Sequence, residues 1–326
     1  RRLFSLVIFN LILVLIIWVY CKLTCGICRS SKHLVGKTVI VTGGNAGIGY
    51  ETAKDLAERG ARVILACRND DRGIAARDKI VNATGNSDVH YRHLDLASLK
   101  SVREFADNIV KTEKRLDVLV NNAGCYASNF EKTEDGLLLE MQSNHFGPFL
   151  LTNLLLPLLK SSAPSRIVNV SSVGHKAGDI DFDNLNAEKE TEKTYSKVKV
   201  YGTTKLCNIL MGVELDKQLK GTSVTVNSLH PGIIATDIAT RDKFMTNTLF
   251  FLKVFCKTSW EGEAAQTTLH LSVTPELETV SGQYFSNCRV SRPSRVSQYL
   301  LLTKRLWEET EKLVKFSFLD NEICVL

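Results

Sequence analysis

The 326-residue chain has no block of Lys and Arg interleaved with aromatic residues, and its formal net charge is only +6. Nucleic-acid partners need a concentrated basic surface with stacking side chains, so that class is excluded here. Cys25 and Cys28 form a CxxC, but no second CxxC and no neighbouring His pair completes four zinc ligands, so no metal site is expected. The nine cysteines are odd in number and scattered. A chain of this size buries its core without staples, and they read as free thiols facing a reducing compartment. There is no internal repeat, no low-complexity tract and no prenylation box, because Cys324 stands third rather than fourth from the end.

Long apolar runs are scarce, but one is present. Residues 3 to 20, LFSLVIFNLILVLIIWVY, form an uncharged run of 18 residues. At about 1.5 Å per residue, a helix of that length reaches ~27 Å, nearly the ~30 Å of a hydrocarbon core. The residues that follow, CKLTCGICR, offer no small-residue cleavage site, which argues against a removed signal peptide. Trp18 and Tyr20 fall where an interfacial aromatic belt would, and Lys22, Arg29, Lys32 and Lys37 lie downstream against Arg1 and Arg2 upstream. These features predict an N-terminal transmembrane helix, with residues 1–33 as anchor and linker and the main domain in the cytosol.

Residues 34–290 alternate strand and helix patterns. KTVIVTGG is a β-branched apolar run ending in glycines, and IGYETAKDLAERG repeats apolar and small residues at helical spacing until Gly60. Strands follow in ARVILAC, VHYRHLDL, LDVLVNNAG, SRIVNVSS and SVTVNSLHPG, with helices near 70–83, 98–114, up to Lys160, and about 200–219 between them. Strands apolar on both faces with interposed helices imply an α/β fold with a doubly wound, Rossmann-type parallel sheet. Residues 291–326 form a helical tail.

The turn between the first strand and helix, TGGNAGIG at 42–49, carries Gly43, Gly44, Asn45, Ala46, Gly47, Ile48 and Gly49. Glycines there let backbone approach a pyrophosphate while the helix N-terminus supplies N–H groups and partial positive charge, so the turn reads as a dinucleotide site. An acidic residue would end the second strand to select NAD, but LACRND places Cys67 and Arg68 there. Arg68 can fork onto a 2′-phosphate, which favours NADP(H). Asp70 and Asp71 begin the next helix, where carboxylates suit its dipole.

TGxxxGxG, NNAG at 121–124, NVSS at 169–172, a YxxxK and HPG at 230–232 occur in order, each at the end of a strand. The set resembles the short-chain dehydrogenase/reductase family over roughly residues 36–290. GARVILACR, RIVNVSS, KLCNIL and the tail around LWEETEKLV resemble that family's membrane-anchored, NADP-preferring retinol dehydrogenases. The resemblance implies that Asn144 holds a proton-relay water, that Ser172 binds the substrate oxygen, and that the YxxxK pair is the base and its partner. It implies cofactor contacts at Asp95, Leu96, Asn122, Ala123, Gly124, Pro231, Gly232, Ile234 and Thr236, as well as at the pair itself. Without it, Asn144 reads as a helix-interior amide bonding local backbone, and Ser171 competes with Ser172.

The YxxxK pattern occurs twice, as Tyr195 with Lys199 and as Tyr201 with Lys205. A free phenol, with a pKa of about 10, is ionised to only about one part in a thousand at pH 7, and a cation four residues along a helix favours phenolate. Thr204 precedes Lys205, as Ser or Thr usually does in the family, and the residues after Lys205 give a buried helix face. Tyr195 sits among four lysines and reads as a solvated approach, the end of a lengthened substrate-side loop. Tyr201 and Lys205 are therefore the expected pair, in the first turn of their helix.

The functional expectation is a membrane-anchored oxidoreductase moving a hydride between NADP(H) and an apolar alcohol or carbonyl, with retinol and retinal the nearest family analogy. Steroid, prenol and fatty-aldehyde reduction use the same machinery, and a catalytically inactive NADP-binding scaffold is the non-enzyme alternative. Residues 240–260 contain an apolar stretch where the family places its substrate lid. The resemblance points to the endoplasmic reticulum membrane, and an oligomer is compatible with the sequence.

Overall fold

The computed structural model describes Val19 and residues 25 to 126, 129 to 232 and 261 to 316. The expected anchor, Val19 apart, and the 240–260 stretch lie outside them. No helix among the described residues is long and apolar enough to cross a membrane.

Among the described residues, eight strands form one sheet: β1 (Thr38–Thr42), β2 (Arg62–Cys67), β3 (Val89–His93), β4 (Val118–Asn121), β5 (Ser165–Val170), β6 (Val224–His230), β7 (Tyr284–Ser286) and β8 (Arg289–Val290). Their order is β3-β2-β1-β4-β5-β6-β7-β8, parallel throughout except for β8, which runs antiparallel to β7. The helices are α1 (Gly47–Glu58), α2 (Asp70–Thr84), α3 (Leu99–Thr112), α4 (Gly147–Ser161), α5 (Lys197–Gln218), α6 (Glu261–Val273) and α7 (Leu300–Val314). The expected doubly wound sheet is present, and its strand order places the switch between β1 and β4.

Alternation along the strands decides which layer each side chain joins. Ile40, Ile64, Leu119, Ile167 and Val226 face the core under α3, α4, α5 and α7. Their neighbours Val39, Val41, Val63, Leu65, Val118 and Val120 face the core under α1, α2 and α6. Both faces are covered, so the central strands are rich in β-branched and aliphatic residues, and β1, reading TVIVT, is buried along its whole length. In α3, Leu99, Val102, Phe105, Ala106 and Ile109 are buried at helical spacing, and Ser98 caps the first turn by accepting from the Ser101 N–H. The tail helix α7 lies on this layer, its Trp307 ring edge-on to Phe149 at 4.6 Å.

One buried carboxylate fixes the sheet's lower end. Asp117, just before β4, accepts from the Thr38 N–H at 2.9 Å, the Lys37 ammonium at 2.9 Å and the Arg115 guanidinium at 2.6 Å. Burial alone would raise its pKa, but hydrogen bonds from Arg115, Lys37 and the Thr38 amide outweigh that and hold it below the ordinary aspartate value. A depressed folded pKa gives stability that is fully present above the unfolded value of about 4 and is lost as pH falls through the folded value. Asp117→Asn should therefore cost on the order of 1–3 kcal/mol at pH 7 in urea unfolding, and the difference from wild type should shrink below about pH 4.

Candidate active site

The loops at the carboxyl ends of β1, β4, β5 and β6 converge. In the glycine turn, Gly43 (φ +64°) and Gly47 (φ +57°) occupy the left-handed region, which side-chain-bearing residues rarely adopt. At Gly49 a Cβ would stand 2.4 Å from the Gly43 carbonyl oxygen and 2.5 Å from Asn122 Nδ2. Ala46 is the N-cap of α1 and supplies no side-chain cap, and the first turn holds no acidic residue. The first N–H groups of α1 thus face the loop with a favourable dipole, a cradle that fits a pyrophosphate. Gly44 packs on Leu65, and Asn45, Ala46 and Ile48 remain half-buried around the turn.

Asn122 straps the β4 loop to the end of β1: its N–H donates to Thr42 Oγ1 at 3.0 Å and its side-chain amide to the Thr42 carbonyl at 2.8 Å, while Ala123 N–H joins Thr42 Oγ1 at 3.0 Å. After β3, Asp95 accepts from the Ala97 N–H at 2.9 Å, and the Leu96 carbonyl lies so close to Gly147 that a Cβ there would come within 2.5 Å of it. Arg68 is exposed directly after β2. Asp70, the acidic residue nearest it in sequence after the strand, is engaged elsewhere, accepting from Tyr91 Oη at 2.5 Å and pairing with His93 Nδ1 at 2.8 Å. Pro231 and Gly232 (φ +104°) follow β6, and Ile234 and Thr236 lie outside the described residues.

The helical pattern leading to Lys160 is interrupted. A single turn, Leu139–Met141, runs into a π-helical stretch, Gln142–Phe146, before α4 begins. The extra residue in that turn carries Asn144, fully buried, and π-turns of this kind occur often at functional sites. Asn144 does not bond backbone of its own helix, the local alternative raised by the sequence. Its Oδ1 accepts from the Cys125 N–H at 2.7 Å, and its Nδ2 donates to the Cys125 carbonyl at 2.8 Å and to Thr204 Oγ1 at 3.2 Å. A Cβ on Gly124 would lie 3.1 Å from Lys205 Nζ and 3.4 Å from Asn144 Oδ1, so these three residues meet.

Helix α5 begins at Lys197, capped by Ser196, which puts Tyr201 in its second turn rather than its first. Lys205 is buried, its ammonium donating to the Val170 carbonyl at 3.2 Å and lying 5.6 Å from the Tyr201 ring centre. The Tyr201 ring stands edge-on to Tyr126 at 5.7 Å. Thr204 explains why the second tyrosine pair is the one built in: its hydroxyl donates to the Tyr201 carbonyl at 2.8 Å while accepting from Asn144. Val198, at the same place before Lys199, has no hydroxyl to do this. Burial pushes Lys205 down to about 8 and pushes the Tyr201 phenol up to about 12, with Ser172 acting in the opposite direction on the phenol.

The two serines separate clearly. Ser171 is buried and donates to the Lys205 carbonyl at 2.7 Å, a structural bond between β5 and α5. Ser172 is on the Tyr201 side, accepting from the Gly174 N–H at 3.1 Å. Its loop is held by two histidines. His175 Nδ1 donates to the Ser172 carbonyl at 2.6 Å and its Nε2 accepts from the Ser294 N–H at 3.0 Å, while His230 Nδ1 accepts from the Val173 N–H at 3.1 Å. Tyr195 corrects the sequence reading: it is no solvated residue but packs on Phe130 at 5.5 Å and donates to the buried Glu140 carboxylate at 3.0 Å.

Comparison with known proteins agrees with this constellation. The model of the short chain dehydrogenase family matches residues 37–245. The chain belongs to the short-chain dehydrogenase family. It is similar to retinol dehydrogenase 11 of Mus musculus, 48% identical over 286 residues covering 88% of this chain and 89% of that one. Among solved structures, an uncharacterized protein from Mycobacterium paratuberculosis superposes with a TM-score of 0.73 at 31% identity, over 90% of this chain and 99% of the other. The Pseudomonas aeruginosa RhlG/NADP active-site complex superposes at 0.60 and 26% identity, over 78% and 95%. As a short-chain dehydrogenase, the chain is an oxidoreductase that works with a nicotinamide cofactor.

Sequence reasoning missed Tyr126, Glu140 and His175. Tyr126 follows the NNAG motif by two positions, a spacing that could have drawn attention to it, and Glu140 is an isolated carboxylate in an otherwise apolar stretch. His175 leaves no sequence signal, because its partner Ser294 is 119 residues away. Asn144→Ala would remove the partner of the half-buried Cys125 N–H and carbonyl, and should lower stability by about 1–3 kcal/mol in urea unfolding.

Proposed function

We propose that the chain is a membrane-anchored, NADP(H)-dependent dehydrogenase acting on an apolar alcohol and its carbonyl, of the retinol/retinal kind. The observation that carries the reading is the pair formed by half-buried Tyr201 and buried Lys205, set beside Ser172 and locked through Thr204 to Asn144. Support for the substrate class comes from the retinol dehydrogenase relative and from the Tyr126 ring that stands against Tyr201. The uncharged run at 3–20 supports a single-pass anchor with the catalytic domain in the cytosol.

The cofactor supplies the hydride, and this chain's residues handle the proton. The glycine turn and the N-terminus of α1 would hold the pyrophosphate, with Asp95, Asn122 and Lys205 toward the remainder of the cofactor. Arg68 would meet a 2′-phosphate, a role supported by the engagement of Asp70 with Tyr91 and His93. Ser172 orients the substrate oxygen. Tyr201, with its pKa pushed up to about 12, rests as a phenol and gives its proton to a carbonyl oxygen in reduction. The phenolate left behind is stabilised by the Lys205 ammonium. Asn144 stands beside Lys205, where a water carrying the replacement proton would sit.

A panel of apolar aldehydes assayed with NADPH and with NADH tests the assignment directly. Wild type should prefer NADPH, and Arg68→Ala should raise the KM for NADPH about 10- to 100-fold while leaving that for NADH unchanged, the scale of a charged hydrogen bond. A wild-type preference for NADH removes the role of Arg68. The pH profile tests the proton path. Lys205 carries its charge below about 8 and loses it above, so reduction rates should hold between pH 6 and 7 and fall as pH rises through about 8. Rates that climb through that range contradict the assignment.

A further inference from the structure

The C-terminal segment leaves apolar side chains in water where a compact domain would normally cover them. Leu301 is 86% exposed, Tyr299 65%, and Leu300 and Val290 60% each. They are not scattered singly. Leu300 lines the same cavity as Ser291 and Pro293, which follow β8, so the β8 edge and the start of α7 form one continuous surface.

The charge on that surface has one sign. Residues 289–305, RVSRPSRVSQYLLLTKR, contain five cations and no Asp or Glu, and all five are exposed. Lys304 approaches Glu308 at 3.8 Å, and Arg305 stacks over Phe182 at 4.2 Å. Arg289, Arg292 and Arg295 have no carboxylate partner among the described residues. Exposed Tyr and Leu ringed by unpaired Arg is the composition of a face that meets an anionic lipid headgroup region.

The N-terminal segment brings its own chain to the same edge. Gly26 packs so tightly on the β7–β8 turn that a Cβ would lie 2.1 Å from the Asn287 carbonyl oxygen. Cys28 N–H donates to Gln266 Oε1 at 3.0 Å, and Ile27 between them is 62% exposed. At no more than about 3.6 Å per residue, the five steps from Tyr20 to Cys25 keep the end of the apolar run within ~18 Å of this hairpin. A bilayer holding residues 3–20 is therefore delivered to the exposed edge.

We propose that residues 289–305, together with Ile27, form a second, peripheral contact with an anionic bilayer surface. The inference rests on the reading of residues 3–20 as an anchor, and adds an orientation to it. The segment is bonded to the substrate side of the site, since Ser294 N–H donates to His175, whose other nitrogen holds the Ser172 carbonyl, and Arg305 covers Phe182 of the same loop. Contact at 289–305 turns the Ser172 loop toward the lipid in which an apolar substrate is dissolved.

The test uses the full chain in nanodiscs of phosphatidylcholine alone or with added phosphatidylserine, read by hydrogen exchange. Amides of 289–305 should exchange roughly tenfold more slowly with phosphatidylserine present, the scale that arginines at an anionic surface supply. A variant carrying Arg292→Glu, Arg295→Glu, Leu300→Ser and Leu301→Ser, all at exposed positions, should lose that difference while β4 and β5 keep their protection. Equal exchange in both lipids overturns the proposal. So does slowing that follows protein concentration rather than lipid composition, which would assign the face to a second copy of the chain. The anchor is read separately: failure of the full chain to float with phosphatidylcholine vesicles in high salt would sink that reading, while the lipid-dependent exchange still decides this one.

Discussion

The three hydrogen bonds made by the buried Asn144 side chain are the constraint on which the rest of the site depends. They join a loop after β4, a π-turn before α4 and the Thr204 position of α5, three elements that share no sequence neighbourhood. A buried amide group left unpaired is costly, so the only low-energy arrangement is the one in which all three elements meet. Once they meet, Gly124 lies close against Lys205 and Asn144, and Thr204 carries the constraint on to Tyr201. The chemistry of the pair is a consequence of this packing rather than an addition to it.

The doubly wound sheet supplies the second condition. Strands buried on both faces end together at one edge, and the chain must turn there with its backbone polar groups partly unmatched. At β1 the unmatched groups are the first N–H groups of α1, electropositive and uncapped. At β5 the turn is instead tied down, with Ser171 bonded to α5 and His175 joining the Ser172 carbonyl to Ser294. One loop is left open to an anion and the other is held rigid beside the phenol. Burial disfavours charge on both Tyr201 and Lys205, raising the pKa of the phenol to about 12 and lowering that of the ammonium to about 8, so at neutral pH a neutral phenol stands beside a cation.

The sheet was legible in the sequence because its strands are rich in β-branched and aliphatic residues, and four of the five ordered motifs fell at strand ends, the YxxxK pair lying in α5. Boundaries moved where a cap decided them: α5 starts at Lys197 because Ser196 accepts from Lys199 N–H, a local bond that outweighs the charged composition around it. Tyr195 was misread for a related reason. Its sequence neighbours are charged, but Phe130 and Glu140, its actual partners, are more than 50 positions away. Thr204 is legible as a family feature, and its reason is the pair of hydrogen bonds it makes to the Tyr201 carbonyl and Asn144. The π-turn at Asn144 and the His175–Ser294 bond had no periodicity or spacing to announce them, since both are set by tertiary packing.

The most direct test of the central claim, that Tyr201 beside the buried Lys205 moves the proton while the rest of the site binds, is a single-turnover measurement on Tyr201→Phe. NADPH fluorescence reports binding and its loss on mixing with an apolar aldehyde reports hydride transfer. The account predicts that the variant still binds NADPH and transfers hydride roughly 10²–10⁴-fold more slowly than wild type, the usual range for losing a positioned acid. Transfer within a few-fold of wild type would contradict it.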